Sequence, residues 1–284
     1  MGADKNFSSV LNPVRRLHHD LDLAEYHARS ELSAHNLMDV EVSPAYADYK
    51  KKNPQAPNDA MIMGTLIHEA TEDPEAFHKK YAQGPDVKLN TKSGKEQWEI
   101  FQEVSEDKIP LRHHQFLTAE ACMEAAWKHP EAKLFLENSV KEVSGFGQVL
   151  RTPVKARPDL DCANFSNDLV DIKSRQLGKA ARDAWLKDFF NYKTYIQAGL
   201  QIEVWRQLDY EVNGYYYILI ETEPPYQVNV LPLDQEWIDI SIGMVTRAVI
   251  KWEKYLGDGR PEGYGRNQKN LEVAEWMRRK LEWP

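Results

Sequence analysis

Apolar residues recur along this chain with two different periods, and the switch between them organises it. Over residues 33–49 and again over 60–81 the spacing is helical, with Met63, Ile67, Ala70 and Thr71 on one stripe of the second segment. Pro44 marks a break in the first, and residues 50–58, rich in Lys, Asn and Pro, read as a loop. Residues 85–95 predict an exposed basic loop, followed by helices over 96–106 and 117–129, the latter ending before Pro130. Strand-like alternation then takes over in 140–144, 148–160 and 169–174, with Gly145-Phe146-Gly147 and a turn near Phe165 as the joints. Residues 180–208 return to a helical pattern, broken near Asn191. Residues 214–221 predict a strand buried on both faces, and 227–231 a second one after Pro224-Pro225. Asp234 is expected to cap a long helix that reaches Tyr255 and stops at Gly257. Helices, three strands, helix, strand: that order predicts an α/β protein, an α+β mixed sheet flanked by helices. The chain divides into an N-terminal arm (1–25), one domain (26–256) and a helical tail (257–284), where Trp276 and Trp283 offer an oligomer contact.

The strand pair around Phe165 carries chemistry. Arg157-Pro158-Asp159 and Asp171-Ile172-Lys173-Ser174 flank the polar stretch from Cys162 to Asp168. In a hairpin centred there, positions whose numbers sum to about 330 face each other, which sets Asp159 opposite Asp171. Opposed residues have Cβ atoms roughly 4.5–5.5 Å apart and project from one face. Lys173 shares that face, while Val170 and Ile172 point away. Like charges opposite each other destabilise a sheet, so a divalent cation between the carboxylates would relieve a cost. The competing reading is a solvated surface hairpin with a diagonal Asp159–Lys173 pair, worth less than about 1 kcal/mol.

Composition changes this picture little. With 284 residues and 42% hydrophobic positions, the chain is long enough to bury a core. No apolar run approaches the ~20 residues that cross a bilayer, and the N-terminus lacks a signal-peptide core, so a soluble, cytoplasmic protein is expected, with no membrane partner. Cys122 and Cys162 are too few for a disulfide framework or a four-thiolate cluster, and read as buried free thiols. The net charge of −8 argues against a general nucleic-acid coat. It leaves room for a DNA enzyme whose basic groups line one channel.

Several strings, in order, resemble one family. They are Tyr26-His27, Leu32-Ser33-Ala34-His35-Asn36-Leu37 with Ser43-Pro44-Ala45, Gly64-Thr65-Leu66-Ile67-His68-Glu69, Arg157-Pro158-Asp159, Asp171-Ile172-Lys173-Ser174 and Tyr195-Ile196-Gln197-Ala198. Together they resemble the PD-(D/E)XK nuclease superfamily, within it the RecE-type (exonuclease VIII-like) phage recombination exonucleases. The resemblance runs over residues 26–255 and implies a restriction-endonuclease-like core, αβββαβ, flanked by extra helices. It implies metal ligation by His68, Asp159, Asp171 and the carbonyl of Ile172, with Glu142 as a further acidic candidate. Lys173 becomes the catalytic lysine, holding the attacking water and offsetting charge in the transition state. Gln197 and Tyr195 match a helix motif that contacts DNA, although Gln201 stands where many relatives carry Tyr. Arg157 and Lys95 are basic groups placed to meet phosphates, with Lys92, Lys155 and Arg175 as weaker candidates. Glu72, Asp161 and Asp168 read as solvated charges, and Tyr215, Tyr216 and Tyr217 as a packed strand.

The activity so implied is Mg²⁺-dependent (Mn²⁺ as substitute, one or two ions per subunit) 5′→3′ digestion of double-stranded DNA ends. Its product would be a 3′ single strand for a single-strand annealing recombinase in a bacterial host, from a ring-shaped homo-oligomer, trimer or tetramer. Other readings are a helicase-associated or CRISPR-adaptation nuclease (the latter short of cysteines), a related endonuclease, or a catalytically inactive DNA-binding relative.

Overall fold

The computed structural model describes residues 17–19, 21–105 and 107–260. The chain starts with a short strand β1 (Leu17–His18) and a short helix α1 (Leu23–Ala28), then α2 (Ala34–Val42) and α3 (Pro44–Lys52). Pro44 at the first helical position separates α2 from α3 as expected, but α3 runs through Lys52 into the predicted loop. The predicted helix over 60–81 is two helices, α4 (Asp59–Glu72) and α5 (Pro74–Lys80). Asp73 ends the first and caps the second through the N–H of Ala76, and Pro74 takes the N1 position of α5.

Strand β2 (Tyr81–Gln83), helix α6 (Lys92–Val104) and strand β3 (Ile109–Leu111) follow, β2 and β3 pairing in parallel. Lys92 and Lys95 therefore sit in the opening turns of α6 rather than on a loop, because the Thr91 hydroxyl accepts the Gly94 N–H and starts the helix there. Helix α7 (His113–Lys128) begins earlier than predicted, and α8 (Pro130–Glu137) was not foreseen. His129 ends α7 and its ring caps α8 at Ala132, so Pro130 opens a helix as well as closing one.

The strands differ most. β4 (Val140–Lys141), β5 (Ser144–Val149), β6 (Thr152–Ala156), β7 (Leu160–Asp161) and β8 (Asp168–Arg175) replace the predicted three. Gly145 and Gly147 lie inside β5, and the β5–β6 turn falls at Leu150 and Arg151, Leu150 adopting φ 53°. The glycines are needed because α10 (Tyr195–Gln207) packs directly on β5: a Cβ on Gly145 would stand 2.7 Å from the Trp205 ring. Helix α9 (Arg182–Asn191) precedes α10, separated from it near Lys193 as the sequence predicts. Strands β9 (Gly214–Glu221) and β10 (Val228–Pro232) and helix α11 (Gln235–Gly257) complete the described chain. Asp234 caps α11 at Trp237, but the glycine in the left-handed region is Gly259, at φ 76°, not Gly257.

The central sheet has the order β10-β9-β8-β7-β4, with β8 and β9 parallel and the other pairs antiparallel. A second sheet, β1-β5-β6, lies against α10. Alternation on β8 and β9 splits the core in two. Leu169, Tyr215, Tyr217 and Leu219 pack with residues of α2, α10 and α11, while Val170, Ile172, Ile218 and Ile220 pack with residues of α4, α7 and α8. The molecule is thus a mixed α/β fold of the predicted class, its tyrosine-rich strand buried on both sides as expected. The residues proposed for oligomer contact, Trp276 and Trp283, and residues 1–16 of the arm lie outside the described residues.

Candidate active site

The predicted register is met. Leu160 faces Val170 and Asp161 faces Leu169, so the pairs sum to 330, and the turn closes on the carbonyl of Cys162 with Asn167 at φ 59°. Asp159 stands one step beyond the last paired residue, because the chain breaks between β6 and β7 at Arg157-Pro158. Pro158 has no N–H to give a ladder, and Asp159 turns its carboxylate inward: Oδ2 accepts the backbone N–H of Ile172 at 2.6 Å. Asp171 is fully buried on the face that looks toward α10. Its Oδ1 accepts a hydrogen bond from the Gln197 side-chain amide at 2.9 Å, and its Oδ2 is ion-paired with the Lys173 ammonium. The two carboxylates and the lysine do converge.

His68, in the last turns of α4, points at the same place, with Nδ1 3.6 Å from Asp159 Oδ2. Glu72, one helical turn on, joins them, which corrects its reading as a solvated charge. It is 92% buried, since its accessible fraction is 8%. One ligand atom each of His68, Glu72 and Asp159 lies within 4.8 Å of the others. The i, i+4 spacing from His68 was the available signal. That spacing puts Glu72 near the face of His68, but nothing in the sequence shows that this face of α4 turns toward Asp159.

Burial dominates the electrostatics. It raises the Asp171 carboxyl to about 6, helped by the nearby Asp159 charge and opposed by Lys173. It also raises Asp159, against the pull of Lys173 and the Ile172 N–H, and Glu72 well above the carboxylate range, with Asp159 and Glu142 adding repulsion. His68 is pushed down to about 4, by burial and then by Lys173, so its imidazole is neutral at pH 7. Burial also acts to lower Lys173, but the Asp171 and Asp159 charges outweigh it and the amine is held above its ordinary value. Lys173 is therefore a fixed ammonium donor and not a proton acceptor.

Other predicted residues have different surroundings. Glu142, at φ 50°, gives its carboxylate to Arg157 at 2.7 Å, and Arg157 also donates to the carbonyl of Leu21. Glu142 is thus beside the three-residue group but not in it. Tyr195, expected to reach DNA, is buried and stacked on Trp237 against Phe189, because the first turn of α10 packs on α9 and α11. Gln201 is buried too, bridging the carbonyl of Arg157 and the Tyr215 hydroxyl. Lys95 is exposed on α6 and does not line the cleft around Asp159. Lys155 donates to the carbonyls of Tyr26, His27 and Arg29 and so anchors α1. Asp161 and Asp168, read as surface charges, are buried, and Asp161 accepts the Trp205 indole N–H at 3.0 Å.

Two clefts meet here. One of about 250 Å³ is lined by His68, Asp159, Lys173 and Gln197. A broader one of about 930 Å³ is lined by Glu69, Glu72 and Asp73, and the Glu142–Arg157 pair borders both. The donor set suits a hard divalent cation: carboxylates raised by burial and, at Asp171 and Glu72, by the Asp159 charge, with a neutral imidazole, are groups that a bound cation would relieve.

No helix among the described residues is long and apolar enough to cross a membrane. A crystal structure of a provisionally named exonuclease from Eubacterium rectale is similar over 93% of this chain and 96% of its own, with a TM-score of 0.58 at 12% identity, a likeness of fold. Among curated proteins, none matches the sequence. Residues 33–260, which hold every side chain of the site, match the family described as "PDDEXK-like domain of unknown function (DUF3799)", and the chain belongs to that family.

Proposed function

We propose that this protein is a metal-dependent deoxyribonuclease, an exonuclease of RecE type that digests double-stranded DNA from its ends. The observation that carries the reading is the convergence of Asp159 and Lys173 on one cleft, with the buried Asp171 ion-paired to Lys173 and the lysine held as an ammonium. Asp159 and Asp171 would hold a divalent ion, Mg²⁺ or Mn²⁺, together with the carbonyl of Ile172, and His68 borders the same carboxylate. When bound, such an ion supplies Lewis-acid polarisation of a phosphate and a bound water of lowered pKa.

The chain's own residues do the rest. Asp159 is oriented by the Ile172 N–H and Asp171 by the Gln197 amide, so neither carboxylate needs to reorganise. Lys173 donates to an oxygen nucleophile and to the charge that builds on the phosphoryl oxygens.

The 5′→3′ polarity, the 3′ overhang and its transfer to a single-strand annealing recombinase follow from the RecE resemblance. So does a homo-oligomeric ring, which would let an acidic chain of net charge −8 present its basic groups to a bore. The test is digestion of end-labelled linear duplex beside covalently closed circles. Expected are loss of linear DNA only, dependence on Mg²⁺ or Mn²⁺, arrest by chelator, and a loss of at least about 100-fold in single-turnover rate for Lys173→Gln. Undiminished activity in chelator or in Lys173→Gln would refute the mechanism, and cutting of closed circles would make it an endonuclease.

A further inference from the structure

Helix α9 is apolar on two faces and buries only one of them. Trp185 and Phe189 pack inward, their ring centroids 5.1 Å and 5.7 Å from that of Tyr217. The stripe beside them, Leu186 and Phe190, is open to solvent, and Tyr192 follows in the link to α10. Phe190 is 62% accessible and Tyr192 68%. A helix that is apolar all round normally lies inside a core, so the open face calls for a partner. Its charge says which kind. Residues 175–193 carry five basic side chains, Arg175, Lys179, Arg182, Lys187 and Lys193, against Asp183 and Asp188, in a chain of net charge −8. Asp188 is taken by Arg175 and Lys179, and Asp183 by Arg182. Neither Lys187 nor Lys193 has an ion-pair partner among the described residues. Lys193 also sits at φ 58°, where glycine or asparagine would be less strained.

We propose that the open face of α9, formed by Leu186, Phe190 and Tyr192 with Lys187 and Lys193, binds an unpaired DNA strand. The inference rests on the nuclease reading for DNA as the polymer, but not on cleavage. Exposed rings among cations suit this ligand, because every base offers a flat face to stack and every phosphate a charge to pair. In an intact duplex the base faces already lie on one another, so exposed rings gain less from it. A second copy meeting this face in a two-fold contact would set its like charges together. The face is joined to the site at both ends. Arg175, two residues past Lys173 on β8, lies over the Trp185 ring at 5.0 Å and pairs with Asp188. Gln197, which holds Asp171, stands one helical turn past Lys193.

The experiment is fluorescence anisotropy with the full chain and labelled oligo(dT) of about 16 nucleotides, in chelator so that no cleavage intervenes. An abasic strand of the same length and a blunt duplex are the comparison probes. Oligo(dT) should bind about tenfold or more tighter than the abasic strand. Phe190→Ala and Tyr192→Ala should each weaken oligo(dT) by about tenfold and leave the abasic strand unchanged. Lys187→Gln should weaken both strands and lower the salt slope by about 0.7. Both rings are more than half exposed, so the variants should melt with the wild type; should Phe190→Ala fail to fold, Tyr192→Ala carries the same comparison. No binding of oligo(dT) by the wild type, equal affinity for the abasic strand, or unchanged affinity in both aromatic variants overturns the proposal. Unchanged affinity together with a smaller sedimenting species in Phe190→Ala would make the face a contact between copies instead. A chain that holds oligo(dT) through Phe190 yet cuts no DNA sinks the exonuclease reading alone. A chain that digests linear duplex but shows no effect of the aromatic variants on oligo(dT) sinks this inference alone.

Discussion

Asp159 Oδ2 accepts the backbone N–H of Ile172 at 2.6 Å, so a side chain of the site takes the place of a strand across β8. The β7 ladder ends at Leu160, and the carboxylate continues it by one bond. This gives Asp159 two duties that substitutions can separate. Asp159→Asn keeps an acceptor oxygen but cannot carry the charge, and should bind Mn²⁺ at least tenfold more weakly with little change in urea stability. Asp159→Ala leaves the Ile172 N–H unpaired and should lose about 1–3 kcal/mol as well. Equal stability of the two variants in urea melts would show that the bond contributes nothing.

The acidic groups also set how stability without metal depends on pH. Asp171 is raised from an ordinary 3.8 to about 6, so the fold binds its proton more tightly than the unfolded chain does. Its contribution is present below about pH 4 and is lost as pH rises through about 6, a change on the order of 3 kcal/mol. Asp159 and Glu72, both raised, act with the same sign. His68 opposes them: lowered from 6.5 to about 4, it contributes above pH 6.5 and loses that contribution as pH falls toward 4. His35 and His27, both lowered by burial, act with His68, so within the site the carboxylates favour low pH and the imidazoles favour high pH. A divalent ion compensates the exposed charges, so the gain in Tm on adding Mn²⁺ should be larger at pH 7.5 than at pH 5. A gain independent of pH would mean that these carboxylates are not its ligands.

What was legible in the sequence follows a physical division. The β7–β8 register, the turn at Cys162 to Asp168 and the Asp159–Asp171–Lys173 set are local, fixed by alternation and turn chemistry within twenty residues. Glu72 and the role of Gly145-Phe146-Gly147 were not legible, because each depends on which distant element packs nearby. Glycines between apolar residues look like a turn until α10 is known to lie on β5. The surroundings of Tyr195 were not legible for the same reason, its ring lying on Trp237 from α11.

That reading of the glycines has its own consequence. Gly145→Ala would bring a methyl group within 2.7 Å of the Trp205 ring and 2.9 Å of Val204, both buried. Overpacking of this kind costs about 1–3 kcal/mol. Thermal melts should show a lower Tm, with cleavage intact below the transition, since Gly145 lines neither cleft of the site. A turn glycine free of close neighbours would tolerate the change.

Gln197 separates two accounts of α10. The family resemblance makes it a DNA contact, but its amide nitrogen donates to Asp171 Oδ1 at 2.9 Å, so the side chain is already committed to orienting a carboxylate. Removing a DNA contact should weaken binding and raise KM while sparing kcat. Removing a support for Asp171 should do the opposite, because the carboxylate keeps its charge but loses its fixed direction. Gln197→Leu also leaves a buried acceptor with one partner fewer, so Asp171 should hold its proton to higher pH and the acidic limb of the rate profile should move up. The expected result is a fall in kcat of about 10- to 100-fold, near-constant DNA affinity in filter binding, and an acidic limb displaced toward neutral pH. A raised KM with an unmoved profile would return Gln197 to the DNA surface and leave Lys173 as the sole side chain that sets Asp171.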